Sequence, residues 1–374
     1  MASVRSFGAV GDGIQDDSAA FQKALDGAGQ ILIPQGCYRI GKTLKIHSGT
    51  TIVAEPNARM VMDGSRRWSQ GEFLLDNADH DRGNRDIRII GGIWDGNNRG
   101  EQIVKGDILD LSGYSGAVLN FCHVENLVLQ DLTVANSLTY NIRMARLDGF
   151  VIDNVAFLSD APAHNQDGLH FNGEVRHGRV RNIRALSYGQ TNDDLIALNA
   201  DDSMERVENV GMVRGPIEGV VFENLYAENC HTLIRLLSVT APIRNITIRN
   251  VYGGFRCYAV NADGARYCRT PLFRDEQEPA GIGCLENICI DGLTCYYTGQ
   301  DASQPAILME SRGKNVQIHN FRMIKSNLGN PAFQAGNIPG TEIAADGTCC
   351  TLADKQQRLQ LESFQNLVMN TKGL

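Results

Sequence analysis

The sequence predicts an all-β protein, a right-handed parallel β-helix in which every coil of a solenoid adds strands to the same sheets. Three observations support this prediction. The composition of 39 glycines, 10 prolines and 7% aromatic residues in 374 residues suits many short strands joined by tight turns. A phrase of alternating apolar residues, interrupted by Asn, Asp or Gly, recurs along the chain. A second type of strand begins at positions 140, 167 and 194, at a constant spacing of 27 residues.

The recurring phrase is a strand of period two that bends where the Asn, Asp or Gly stands. It reads ENLVLQDLTV from Glu125, DGFVIDNVAF from Asp148 and IRNITIRNVY from Ile243, and further copies occur between them and beyond. The second strand type reads YNIRMARL, DGLHFNGE and DLIALNAD. Repetition at a fixed period indicates coils whose inward side chains stack upon one another.

Both ends of the chain depart from the repeat, as expected for a solenoid, because an uncapped coil exposes its core and its strand edges. The segment DDSAAFQKALDGAG, with Asp16 or Asp17 as N-cap, predicts a short helix that covers the first coil. Residues 353–370 have helical spacing and predict a C-terminal cap or a contact in a homo-oligomer. We expect three parts: an N-terminal cap (1–40), a parallel β-helix domain that holds the functional site (41–335) and a C-terminal cap or tail (336–374).

Charge and targeting signals narrow the class of protein. The formal net charge of -8 argues against a nucleic-acid-binding protein, which normally presents a basic face. No apolar run approaches the roughly 20 residues of a membrane span, and the N-terminus lacks the basic and apolar regions of a leader. The cysteines show no zinc spacing, so we interpret them as reduced thiols. We therefore expect a cytoplasmic protein without nucleic-acid or membrane partners and without a metal or other cofactor.

An acidic cluster is predicted where two of the repeated strands begin. Aligning QDGLHFN over DDLIALN, one repeat apart, places Asp167 over Asp194 with Asp193 beside them. Stacked strands lie about 4.8 Å apart, so the three carboxylates should converge. Like charges at that separation raise at least one pKa, which suits an acid–base pair. Turn chemistry is the alternative explanation for aspartates at strand starts.

Other polar side chains are predicted around this cluster. Strand parity directs His170 and Arg235 outward, where each could contact a ligand or serve as an ordinary exposed or ion-paired residue. Arg143 is predicted to lie on the wall of a groove that runs along the β-helix past this cluster. Asn172 and Asn199 align on successive coils and predict an asparagine ladder. Clustered carboxylates also suit calcium, but no ligand pattern is recognisable, so no metal is expected.

Several of these segments resemble a known family. NQDGLHF and NDDLIAL look like the Asn-Thr-Asp-Gly-Ile and Gly-Asp-Asp-Cys-Ile-Ala motifs of glycoside hydrolase family 28, the polygalacturonase-like β-helix enzymes. LIRLLS, which contains Arg235, is similar to the Arg-Ile-Lys strand of that family. The N-terminal VRSFGAVGDGIQDDSAAFQKAL and the later GGIWDGN resemble the wider pectate-lyase-like β-helix superfamily.

The resemblance implies a glycoside hydrolase, inverting in outcome, that cleaves an oligo- or polysaccharide. It implies that Asp194 is the general acid, that Asp167 and Asp193 activate the attacking water, and that Arg235 holds the sugar.

Two positions depart from the family pattern. The His-Gly pair of the family is missing from the coil after the double aspartate, which leaves His231 and His170 as the available substitutes. The lysine that follows the arginine by two residues in the family is Leu237 here, and a leucine cannot pair with a uronate carboxylate. The expected substrates therefore extend beyond galacturonan to neutral or differently decorated glycans.

Other functions are compatible with the sequence. A polysaccharide lyase, a uronate epimerase or an intramolecular glycosyl transferase could use the same carboxylates, although uronate chemistry calls for a Lys/Arg cluster that the motifs lack. A carbohydrate-binding solenoid without catalysis, such as an adhesin, would present aromatics and amides without convergent acids.

Overall fold

A computed structural model describes residues 1–66, 68–69, 71–99, 116–201, 213–262, 283–299, 306–309, 311 and 313–323, and four short strands nearer the C-terminus. It contains one 3-10 helix, Val4–Phe7, and one α-helix, α1 (Ser18–Gly27), among these residues. No helix of the described part is long and apolar enough to cross a membrane.

The strands of the first half are β1 (Ala2–Ser3), β2 (Asp12–Asp16), β3 (Gln30–Ile33), β4 (Gly36–Ile40), β5 (Leu44–Ile46), β6 (Thr51–Ala54), β7 (Ala58–Met62), β8 (Leu75–Asn77), β9 (Asn84–Ile90), β10 (Ile93–Asp95), β11 (Leu119–Gln130), β12 (Thr133–Ala135), β13 (Ile142–Leu158) and β14 (Leu169–Phe171). The strands of the second half are β15 (Val175–Ala185), β16 (Asp194–Asn199), β17 (Ile217–Leu237), β18 (Ile243–Ala262), β19 (Leu285–Tyr297), β20 (Ile307–Met309), β21 (Gly313–His319), β22 (Arg322–Met323), β23 (Thr341–Ile343), β24 (Cys349–Thr351), β25 (Phe364–Gln365) and β26 (Val368–Asn370).

The strands pair in parallel with the strands one coil earlier and one coil later. Strand β13, for example, lies between β11 and β15, and β17 lies between β15 and β18. Among the described ladders, only β23 and β24 pair antiparallel. The predicted all-β architecture of stacked parallel coils is confirmed, while its right-handed sense and the three-part division of the chain stay predictions.

From Asp86 to Asn320, two residues of positive φ stand five positions apart on successive coils, at the corners where the coils turn. Asn245 (φ 56) and Asn250 (φ 56) make one such pair. A positive φ is strained for most side chains, and Gly, Asn and Asp tolerate it best. The strand register aligns these residues into two rows along the solenoid. The first row is Asp86, Asn126, Gly149, His177, Gly219, Asn245, Asn287 and Asn315, and the second is Gly91, Asp131, Asn154, Asn182, Asn224, Asn250, Gly292 and Asn320.

These rows explain why the recurring phrase carries Asn, Asp or Gly at two places, and they add hydrogen bonds between coils. Asn224 Nδ2 donates to Asn182 Oδ1 at 3.0 Å, and Asn250 Nδ2 donates to Asn224 Oδ1 at 3.2 Å. In the first row Asn287 Nδ2 donates to Asn245 Oδ1 at 3.0 Å. Asparagine ladders therefore form at the corners of the coils.

The ladder predicted at Asn172 and Asn199 is wrong. Asn172 Nδ2 lies 3.1 Å from His170 Nε2, and within the described part neither Asn172 Oδ1 nor Asn199 Oδ1 has a hydrogen-bond partner. The histidine two residues earlier competes for the amide of Asn172, so alignment on successive coils was not sufficient to form a ladder.

Inward side chains stack into continuous apolar columns. One column runs through six coils and consists of Ile142, Leu169, Ile196, Ile234, Val260 and Ile307, all buried. Burying each such side chain stabilises the fold by about 1.5–3 kcal/mol. In another column a large residue faces a small one, since Phe150 is paired with Gly178 and a Cβ on Gly178 would lie 2.0 Å from the ring of Phe150. The large ring fills the layer that the glycine leaves open.

The predicted N-terminal helix is present as α1. Its buried residues Phe21, Ala24 and Leu25 belong to the main hydrophobic core. Asp17 occupies the N-cap position without capping, since its carboxylate accepts hydrogen bonds from the backbone N–H groups of Val10 and Gly11.

The helical spacing of residues 353–370 does not correspond to a helix where the structure describes them, while the C-terminal cap or oligomer contact stays a prediction. Phe364–Gln365 and Val368–Asn370 are the strands β25 and β26, and both pair in parallel with β21. Pairing satisfies the backbone edge of β21 that would otherwise be open, which overrides the apolar spacing. The other residues of this segment lie outside the described part.

Candidate active site

The predicted acidic cluster forms where two strands of adjacent coils begin. Asp167 lies two residues before β14, and Asp194 opens β16. The N–H of Gly168 donates to the carbonyl of Asp194 at 2.8 Å, and the N–H of Asp194 donates to Asp167 Oδ1 at 2.9 Å. A Cβ on Gly168 would lie 2.5 Å from the carbonyl oxygen of Leu195, so glycine is needed for this close approach.

Asp167 is buried, and its carboxylate is held by protein groups on both oxygens. Asp167 Oδ1 accepts the N–H of Asp194, and Asp167 Oδ2 lies 2.5 Å from His170 Nδ1. The ring of His170 packs against Tyr140 with centroids 4.1 Å apart. His170 is only 2% exposed. The expectation that His170 contacts a ligand in the groove is therefore wrong, because the residue is covered and oriented towards Asp167.

Asp193 and His231 form the accessible part of the cluster. Their side chains are 30% and 42% exposed, and His231 Nδ1 lies 3.4 Å from Asp193 Oδ1. His231 stands at an irregularity in the pairing of β17 with β18, where one residue opposes two. Such β-bulges redirect side chains and are frequent beside active sites. The bulge brings His231, one of the two predicted substitutes for the missing histidine, to the carboxylates.

Arg235 and Arg143 lie in one outward row of the sheet. The register pairs Arg143 with His170, His170 with Ala197, and Ala197 with Arg235 on consecutive coils. Arg235 is partly exposed, and its positive charge opposes the rise that burial causes in the pKa of Asp167 and Asp194.

Arg143 is 1% exposed, so the expectation that it forms the groove wall is wrong. Its Nε donates to Asn120 Oδ1 at 2.8 Å, and its guanidinium lies 5.0 Å from the ring centre of Phe73. The outward direction followed from strand parity, but parity says nothing about what covers the residue.

Sequence reasoning missed a carboxylate in the same row as Arg143 and His170. Asp76 is buried, and its oxygens contact Lys45 Nζ at 2.6 Å, His80 Nε2 at 2.8 Å and Asn120 Nδ2 at 2.7 Å. Burial acts to raise its pKa, but the hydrogen bond and charge of His80 and the charge of Lys45 hold that pKa below its ordinary value. The strand of Asp76 does not follow the repeated phrase, so only its register in the sheet reveals it.

The electrostatics of Asp167 and Asp194 are of the opposite kind. Burial raises the pKa of each carboxyl well above its ordinary range, and the negative charge of Asp193 raises it further. The charges of Arg235 and His231 oppose this shift without reversing it. The arrangement therefore holds protons on buried carboxyls above the pH at which ordinary aspartates lose them.

His231 carries a positive charge at neutral pH. Burial lowers its pKa, but hydrogen bonds to Asp193 and Cys257 outweigh this effect and raise the pKa to about 10. Among the described residues, Asp193, Asp194 and His231 form one group whose donor atoms lie within 4.8 Å of one another.

Comparison with known proteins identifies related sequences. A family model described as "Rhamnogalacturonase A/epimerase, pectate lyase-like" matches residues 1–256. The preneck appendage protein of Bacillus phage PZA is 28% identical over 145 residues, which are 37% of this chain and 16% of that protein. The plasmin and fibronectin-binding protein A of Streptococcus pneumoniae is 31% identical over 183 residues, which are 44% of this chain and 25% of that protein. The chain thus spans about a sixth to a quarter of these relatives' lengths.

A solved structure shares the fold. The family 28 exopolygalacturonase of Yersinia enterocolitica aligns with a TM-score of 0.55 at 18% identity, over 86% of this chain and 71% of that chain. At this identity the likeness concerns the fold alone.

Proposed function

The chain belongs to the rhamnogalacturonase A/epimerase, pectate lyase-like family, and we propose that it is a glycoside hydrolase that uses its clustered aspartates. The observation that carries this proposal is the pairing of buried, proton-holding carboxyls with an accessible carboxylate. Asp167 and Asp194 are buried with raised pKa values, while the adjacent Asp193 is partly exposed. Two carboxyl groups in contrasting environments suit the acid and base of glycosidic bond hydrolysis.

Asp194 is proposed as the general acid. Its carboxyl retains a proton at a pH where the leaving oxygen needs one, and 8% of the residue remains accessible. In the reaction Asp194 protonates the glycosidic oxygen as the bond from that oxygen to the anomeric carbon breaks.

Asp193 is proposed as the base that takes a proton from water as the water oxygen bonds to the anomeric carbon. Addition of one water to the opposite face of the sugar would invert the anomeric centre. Asp167 is proposed to act differently from what the family resemblance implies. Both of its oxygens are engaged by protein groups. We therefore propose that Asp167 orients Asp194 and helps to raise the pKa of Asp194.

Arg235 and His231 are proposed to hold the substrate. Both are partly exposed, cationic and adjacent to the carboxylates, which suits binding of sugar hydroxyls or of an acidic group. Leu237, which replaces the lysine of the resembling family, is buried. This observation supports a glycan that needs no cation at that position.

The test is product analysis with purified protein on galacturonides, rhamnosyl-uronides and neutral oligosaccharides in the presence of chelator. We expect products that together are heavier by one water, and a loss of activity of about 10²–10⁴-fold in Asp194→Asn. Asp148→Asn is the matched control, since Asp148 is partly exposed, lies outside the acidic cluster and forms an ion pair of 2.8 Å with Arg176. Products without added water would overturn the hydrolase proposal.

A uronate epimerase or lyase is the second candidate. The family description includes epimerases, and the cationic His231 and Arg235 beside Asp193 suit removal of a proton next to a uronate carboxylate. Epimerisation would leave the product mass unchanged and incorporate deuterium from heavy water, while a lyase would give an unsaturated uronide. Glycan binding without any turnover would favour a binding solenoid.

A further inference from the structure

The segment that carries Asp193 is fixed by its neighbour Asn192. Asn192 Nδ2 donates to the carbonyl of Ala163 at 2.9 Å, which ties it to the segment before Asp167. Asn192 Oδ1 accepts a hydrogen bond of 2.6 Å from Arg256 Nη2, on the strand of a later coil. One amide side chain therefore joins three levels of the solenoid directly before the paired aspartates.

Arg256 is itself held by the same bulged region as His231. Its Nη1 donates to the carbonyl of Asn229 at 2.6 Å, and Thr298 Oγ1 donates to Asn229 Oδ1 at 2.5 Å. The pairing irregularities of β17 with β18 flank this point, with Asn229 and His231 on one strand and Arg256 on the other. The planar guanidinium can bond two acceptors in fixed directions, which a lysine cannot do.

We propose that Arg256 is a positioning residue, which acts through Asn192 to hold Asp193 against His231. Among the contacts of the described residues, Arg256 makes no hydrogen bond to Asp193 and senses it only through its charge. It fixes the backbone from which Asp193 projects, through its hydrogen bond to Asn192. The kinetic part of this inference rests on the proposed function, because it assigns a role to Asp193 in the reaction. The structural part does not, since it concerns only the contact of Asp193 with His231.

Loosening the Arg256 contact has two expected consequences. A shift of Asp193 of the order of 1 Å can slow a reaction about 100-fold while substrate binding elsewhere is kept. The same shift weakens the interaction that holds the proton on His231. The groups that face His231 are Asp193, Asp194 and Cys257, with Thr232 Oγ1 at 3.3 Å. Asp193 raises the pKa of His231 by a hydrogen bond and by its charge, so withdrawal of Asp193 lowers that pKa.

The experiment compares Arg256→Gln, Arg256→Lys and Asn192→Ala with the control Arg181→Gln, whose residue pairs with Asp153 at another corner of the coil. We expect Arg256→Gln and Asn192→Ala to lower kcat by about 10–100-fold with a smaller change in KM. Arg256→Lys should not rescue kcat, because it keeps the charge without the two-acceptor geometry. The double variant should be no worse than either single one, since both break one connection.

The second readout is independent of turnover. NMR titration of the His231 ring should show a pKa at least one unit lower in Arg256→Gln and Asn192→Ala than in the unaltered protein, and no change in Arg181→Gln. An unchanged His231 pKa with reduced thermal stability would overturn the positioning role and leave a structural one. If the unaltered protein hydrolyses no glycan while His231 shifts as expected, the proposed function fails and the positioning inference stands.

Discussion

The same coils carry carboxylates in two regions of the molecule, and the pKa values are shifted in opposite directions in the two regions. At the acidic cluster, Asp167 and Asp194 are buried beside Asp193, and burial raises the pKa of each. At the corner rows, hydrogen bonds from His177 and Arg176 lower the pKa of Asp148. Burial acts to raise the pKa of Asp153, but Arg181 and Asn182 keep it below its ordinary value.

This difference follows from the geometry of a solenoid. Stacking places equivalent positions about 4.8 Å apart, so any charge meets the charge of the next coil. Directly before the first corner row, charges of opposite sign face each other on neighbouring coils, as in the pair of Arg176 with Asp148 and that of Arg244 with Glu218. The acidic cluster instead keeps like charges together. A cluster of like charges that destabilises the fold is expected at a functional site.

The largest effect on stability is expected from a change in the backbone under the buried acids. Gly168→Ala should destabilise the protein by about 2–3 kcal/mol and reduce activity about 100-fold, because its Cβ would meet the carbonyl of Leu195 at 2.5 Å. Gly219→Asn is the matched control in the first corner row. Gly219 has φ 66, which asparagine tolerates, and a Cβ there would lie 3.8 Å from the nearest atom, in His177. Chemical denaturation and activity assays should show little change there, and equal losses at both glycines would break the comparison.

A smaller loss is expected at an asparagine of the second corner row. Asn224→Ala removes two ladder hydrogen bonds and forces an alanine to φ 59, at a combined cost of about 1–3 kcal/mol. Asn224→Gly removes the same bonds without the backbone strain, so its free energy of unfolding should lie between those of alanine and asparagine. Activity should be unchanged in both variants, and denaturant titration would reveal an inverted order if the strain were absent.

The two regions should also give stability an opposite dependence on pH. The native pKa of Asp194 is raised, so its contribution to the free energy of unfolding is complete below about pH 4, the pKa of an aspartate in the unfolded chain. That contribution is lost as the pH rises. The native pKa of Asp153 is lowered, so its contribution is present above about 4 and is lost as pH falls.

Thermal unfolding measured from pH 3 to 9 tests these two opposite pH dependences of stability. Asp194→Asn should stabilise the protein at neutral pH by on the order of 1 kcal/mol while it removes activity. Asp153→Asn should flatten only the acidic side of the stability profile. A destabilised Asp194→Asn at neutral pH would contradict the raised pKa.

The smallest effect is expected from a single ion pair of the corner rows. Arg181→Ala removes the 2.8 Å contact with Asp153, and exposed pairs of this kind contribute about 0–1 kcal/mol. Activity should be unaffected, and the difference in unfolding free energy should shrink further in high salt. A loss above 2 kcal/mol would mean that the corner charges act as a network.

Much of this fold could be predicted because local backbone preferences repeat. The phrase with Asn, Asp or Gly at two places marks the residues of positive φ, as at Asn126 and Asp131. The constant spacing aligned Leu169 with Ile196, and the sheet register agrees. The position of Asp167 over Asp194 followed from the same alignment, since neighbouring coils bring equal positions together.

Other features could not be predicted from local pattern. Arg143 and His170 were placed outward by strand parity, yet both are buried. Asp76 is enclosed by Lys45 and His80, which belong to no repeated motif. Parity fixes the direction of a side chain, whereas burial depends on residues far away in the sequence.

By itself the sequence determined the parallel stack of coils, the corners at which the coils turn and the convergence of three aspartates. These properties depend on backbone preference and on a repeat length, which neighbouring residues encode. Only the tertiary structure decided which carboxyls hold a proton, which arginine is buried, and that a bulge brings His231 to Asp193. Those outcomes depend on desolvation and on contacts such as that of Arg256 with Asn192, 64 residues apart, which exist only once the coils have packed.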